Sequence, residues 1–151
     1  MPLLSMGQIT EADETELTTQ IGAHMIIFNG SIRGGVSLNK LPLENGEQYH
    51  SLIWANNEYD INGSRTVLKF KSSSADIESL FDMMRKVIKS NQGKNIKLQD
   101  QLVTLKPSSF KDEIYFIAEV DGTNRFFYIK AKGLYELFGK TWNKKDWKNF
   151  K

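Results

Sequence analysis

Apolar and polar residues alternate through most of this chain, and the period changes from two to three-and-a-half only once over any length. Met25 to Phe28 is a short apolar run ended by Asn29-Gly30, and Val36 and Leu38 alternate with polar neighbours after Gly34-Gly35. Two short strands are expected there. A third covers 49–55, and a turn-rich stretch through Asn56, Asn57 and Asn62-Gly63 leads to a fourth over 65–71. In this fourth strand Thr66, Leu68 and Phe70 share one face, while Arg65, Lys69 and Lys71 share the other with Val67. One side is apolar and the other basic.

Between 74 and 90 the period is helical: Ile77, Leu80, Phe81, Met84, Val87 and Ile88 form one stripe. Ser74 is placed to cap this helix, Asp76 and Glu78 fall in its first turn, Arg85, Lys86 and Lys89 in its last, and Gly93 follows. Strand patterning resumes over 96–106 with a break near Asp100-Gln101, then over 113–120 and 125–132, the last two joined by the hairpin dipeptide Asp121-Gly122. Short helices are expected over 133–138 and 141–150. The pattern predicts one α+β domain: an antiparallel sheet, whose curl could take it toward a barrel, with one central amphipathic helix and a short C-terminal helix.

RTVLKFK followed by IESLF is echoed by RFFYIKAK followed by YELF, a faint internal duplication. The 27 residues FIAEVDGTNRFFYIKAKGLYELFGKTW, 116–142, distantly resemble a repeat of the Pur family of single-stranded nucleic-acid-binding proteins, without the basic-glycine turn expected before them. The resemblance implies an antiparallel sheet followed by a helix. Pleckstrin-homology-like and Pur-like packing both fit the order of elements.

Composition narrows the chemistry. The chain of 151 residues has no cysteine, which excludes disulfides, thiolate metal sites and thiol nucleophiles. Apolar runs are too short to span a bilayer as a helix, and no basic-then-apolar secretory leader is present, so an intracellular protein without membrane partners is expected. The net charge of +2 conceals a division. Residues 1–24 carry Glu11, Asp13, Glu14 and Glu16 and no Lys or Arg, while all 20 basic residues lie in 25–151. Within the boundary, Gly22-Ala23-His24-Met25 has the form of a scar left where a His-Met cloning site joins two coding segments. On that reading 1–24 is an acidic tag, linker or tethered partner peptide, and 25–151 is the domain.

No catalytic constellation stands out, and neither a cofactor nor a metal is expected. His50 lies within a strand pattern, as a structural imidazole does. The carboxylates Asp112, Glu113, Glu119 and Asp121 could face a hard cation, but solvated hairpin acids have the same pattern. Gly139-Lys140-Thr141 ends like a phosphate loop, with wrong spacing to Gly133 and no strand before it. Asn29 and Asn62 match the glycosylation acceptor pattern, though Asn-Gly is first a turn signal.

Binding is better supported. Alternation over 125–132 puts Phe126, Tyr128, Lys130 and Lys132 on one side, and aromatic rings between lysines are how single-strand binders take bases and phosphates. Lys140, Lys144, Lys145, Lys148 and Lys151, with Trp142 and Trp147, make a basic C-terminus able to hold phosphate or an acidic peptide. The favoured expectation is a non-catalytic module taking an acidic, partly apolar segment of a partner protein, with residues 1–21 a stand-in for it. Arg65, Lys69, Lys71, Lys130 and Lys132 would supply charge, and Phe126 and Tyr128 apolar anchors. The alternative is a single-stranded nucleic-acid-binding domain using the same sheet residues.

Overall fold

The computed structural model describes residues 9–13, 16–28, 31–55 and 64–151, with side chains left aside at 26–28 and 31–33. The turns expected at Asn29-Gly30 and across 56–63, and with them both glycosylation patterns, lie outside the described residues.

Among the described residues eight strands form two antiparallel four-stranded sheets, and within each sheet every strand pairs with the next in sequence. The first sheet contains β1 (Thr19–Phe28), β2 (Ser31–Lys40), β3 (Tyr49–Ala55) and β4 (Arg65–Lys71), and α1 (Ser74–Ser90) follows it. The second contains β5 (Lys94–Leu98), β6 (Gln101–Pro107), β7 (Glu113–Val120) and β8 (Thr123–Lys130), followed by α2 (Ala131–Leu137) and then α3 (Lys144–Asn149). The architecture is α+β, as the pattern predicts, but the sheet divides in two and does not close into a barrel. Four strands and a helix therefore occur twice, and the halves of the faint sequence echo, β4–α1 and β8–α2, occupy equivalent places.

Local chemistry accounts for most boundaries. Ser73, one residue earlier than expected, is the N-cap of α1: its side chain accepts from Asp76 N, and the Asp76 carboxylate accepts from Ser73 N. Asn91 ends the helix in the left-handed conformation at φ 55°, its N–H donating to Val87 O. Asp121 and Gly122 both have positive φ, 52° and 77°, which is the two-residue turn whose twist matches a hairpin. Asn45 and Gly46 make the same kind of turn at φ 52° and 77°, and Glu44 and Glu47 pair across it.

The two halves are interlocked. The stripe of α1 packs on β6 and β7 of the second sheet, while α2 crosses back to lie on β1 and β2 of the first and also touches β8. Between them Trp54 of β3, fully buried, meets Phe116 of β7 with ring centres 5.8 Å apart and Phe127 of β8 at 5.1 Å. A single core results, with Leu38, Leu52, Leu68 and Phe70 from the first sheet and Leu105, Ile114, Phe116, Phe127 and Ile129 from the second.

β1 runs unbroken through Gly22-Ala23-His24-Met25, so the boundary expected between 24 and 25 falls inside a paired strand. Gly22 faces the end of α2 so closely that a Cβ would stand 2.2 Å from Glu136 O and 2.4 Å from Leu137 O. His24 lies against Gly133, and its Nδ1 is 3.1 Å from Glu136 Oε2. The described residues before β1, 9–13 and 16–18, are exposed.

Candidate functional site

The outward side of the second sheet holds the most distinctive surface. In β8 Phe127 and Ile129 point into the core, which sends Phe126, Tyr128 and Lys130 outward; in β7 Ile114, Phe116 and Ala118 point in, which sends Tyr115 and Ile117 out. Register places Tyr115 opposite Tyr128 and Ile117 opposite Phe126, and on the other flank Lys106 of β6 opposite Tyr115. Tyr115 consequently touches both neighbours edge-on, at 5.9 Å to Phe126 and 5.9 Å to Tyr128. Phe126 is 46% exposed, a large share for a ring within a sheet, and Leu102 of β6 is exposed beside this face. Lys106 and Lys130 flank the three rings, and Glu113, opposite Lys130 in register, accepts from the Ser108 hydroxyl at 2.6 Å.

Lys132 does not belong to this row. β8 ends at Lys130, where Ala131 N donates to Asp112 O and the chain turns into α2, so the expected strand over 125–132 is two residues too long at its C-terminus. Lys132 sits exposed on the first turn of that helix.

Arg65, Lys69 and Lys71 point outward from β4, with Thr66, Leu68 and Phe70 inward, as the alternation predicts. They lie on the other sheet, apart from the aromatic row. Two of the three are already engaged by the Asn45-Gly46 turn, whose flanking acids reach them: Lys69 Nζ is 2.5 Å from Glu44 Oε2, and Lys71 Nζ is 2.8 Å from Glu47 Oε1. The hydrogen bond that Lys71 Nζ donates to the Glu47 carboxylate holds the ammonium above its usual range. Lys69 also lies 4.9 Å above the Tyr49 ring. The sequence signal for these pairs was the Asn-Gly dipeptide, which puts an acid on each side of a tight turn next to β4.

Elsewhere the groups with chemical potential are structural. His50 is buried with Nδ1 2.8 Å from Ser72 Oγ, and burial pushes its imidazole below the usual histidine range. Among the described residues no group of three or more His, Asp or Glu is placed to hold a metal ion. Gly139-Lys140-Thr141 follows the C-terminus of α2: Gly139 takes φ 68° against Ile21 O, and Lys140 pairs with Glu78 at 2.8 Å. No described helix is long and apolar enough to cross a membrane.

Tyr115 and Lys106 are the site residues that reading along single strands misses. Their own alternation marks them as outward-facing, but only the register of β6, β7 and β8 sets them beside Tyr128. The arrangement offers flat apolar faces bordered by cations, with the Glu113 carboxylate at the Lys130 end engaged by the Ser108 hydroxyl. No protein-family model matches the chain, and neither a curated protein nor a solved structure is significantly similar to it.

Proposed function

We propose that the outward face of β7 and β8 is a non-catalytic binding surface for single-stranded nucleic acid. The observation that carries this reading is the contiguous row of Phe126, exposed, and Tyr115 and Tyr128, half-buried, bordered by Lys106 and Lys130. Bases of any sequence present a flat face that stacks on such rings, each stack contributing about 1–3 kcal/mol, while the lysines neutralise phosphates. An antiparallel sheet followed by a helix, the order that the Pur resemblance implies, occurs twice in the chain.

The rival, capture of an acidic segment of a partner protein, draws less support from the same geometry. Lys69 and Lys71 are occupied by Glu44 and Glu47, and the described leader acids Glu11, Asp13 and Glu16 stand at exposed residues. The two classes separate by titration of a fluorescent thymidine oligonucleotide and of a peptide with the sequence of residues 1–21. Phe126→Ala and Tyr128→Ala are each expected to weaken oligonucleotide binding by about 5- to 150-fold. Lys130→Gln should lower the slope of log affinity against log salt by about 0.7. Oligonucleotide binding that ignores both ring truncations, or is not saturable at low salt, refutes the proposal. Saturable peptide binding lost on Lys69 and Lys71 substitution would establish the rival in its place.

A further inference from the structure

A second basic surface lies away from the aromatic row, where the C-terminal end of α1 meets the chain's last residues. Rings and cations hold the two segments together: Arg85 Cζ stands 4.1 Å from the centre of the Phe150 ring, and Lys89 Nζ lies 4.3 Å from that of Trp147, itself buried. This docking creates an open cleft of about 560 Å³ lined by Lys86, Lys89, Ser90, Lys148, Phe150 and Lys151. Four ammonium groups and no carboxylate side chain line it, and among the described residues none of the four is in an ion pair. Mutual repulsion of like charges gathered by folding is relieved most by a compact, multiply charged anion.

We infer that this cleft binds a chain of phosphate groups, with Lys86, Lys89 and Lys148 as the principal ligands and Phe150 as its floor. The inference does not depend on the sheet-face reading, because the residues and elements are different. Phosphate here could be a free polyphosphate anion or the backbone of a nucleic-acid strand.

Inorganic tripolyphosphate is the probe, titrated at constant ionic strength and followed by calorimetry and by tryptophan fluorescence. Saturable one-to-one binding is expected, with a fluorescence change because the anion draws Lys89 away from the Trp147 ring. Trp147→Phe should abolish that optical change and keep the heat. Lys86→Gln and, separately, Lys148→Gln, both changes at exposed residues that leave thermal unfolding in place, should each weaken binding about tenfold. Titrating the thymidine oligonucleotide into Lys86→Gln/Lys89→Gln protein distinguishes the sources: weaker binding identifies a strand backbone, and unchanged binding a free anion. No saturable heat up to millimolar tripolyphosphate, or affinities equal to wild type in both single lysine variants, overturns the inference.

Discussion

Gly22→Ala tests whether β1 is part of the folded body. The added methyl would stand 2.2 Å from Glu136 O and 2.4 Å from Leu137 O, where ordinary contacts begin at 3.4 Å, so strand and helix must part by about 1 Å. Neither oxygen can rotate away, since both are main-chain atoms at the end of α2. Over-packing of this kind costs about 1–3 kcal/mol, and a backbone collision belongs at the upper end. The separation would also loosen Ile21, packed against the core, and the contact of His24 with Glu136. At roughly 2–4 °C per kcal/mol for a chain of this size, a fall of about 10 °C in Tm follows. Urea unfolding should show a lower midpoint with unchanged slope, because the exposed surface on unfolding stays the same. Ile9→Ala, at a residue 84% exposed, serves as the control within about 0.5 kcal/mol. If Gly22→Ala unfolds with the wild-type midpoint, the close approach of α2 to β1 does not contribute to stability and the reasoning fails.

Three further outcomes follow from packing and protonation. Trp54→Ala should cost about 3–5 kcal/mol in denaturant unfolding, because it empties the contact between the sheets, whereas Trp54→Phe should cost much less, since the buried indole N–H has no acceptor among the described residues to lose. Ser73→Ala should destabilise by about 1 kcal/mol while Ser74→Ala changes little, a contrast that a pair of urea titrations checks. His50 is held neutral by burial, with Lys40 also disfavouring its charge and Ser72 and Asp76 favouring it. Its folded pKa is below the unfolded one, so its contribution is complete above about pH 6.5 and is lost as pH falls below that toward the folded value. Unfolding free energies at pH 7.5 and 5.5 should therefore diverge more in wild type than in His50→Gln, and equal divergence would contradict this account.

Much of the secondary structure was legible because its causes are local. The extent of α1 and of β7 matches the periodic pattern residue for residue, and Asp121-Gly122 takes the backbone that only such a dipeptide adopts cheaply. Which faces of β4 and β8 are buried was readable as well, since a strand's side chains alternate wherever the strand is placed. Those regularities determine elements, their inward faces and the α+β class.

Only tertiary contacts decided the rest. That Gly22 and His24 lie against α2, more than a hundred residues later, could not be read from their sequence, because close approach of two backbones leaves no periodic trace. The division into two sheets, and the exchange of helices between them, depend on which strands meet across the core through Trp54. Lys69 and Lys71 looked available because the turn carrying Glu44 and Glu47 lies more than twenty residues earlier, and Lys132 looked like a strand residue because the helix start at Ala131 has no side-chain cap to announce it. Tyr115 joins Phe126 and Tyr128 only through strand register. Periodicity reports what each segment must bury, whereas a surface made from several segments is set by long-range pairing, which no local pattern encodes.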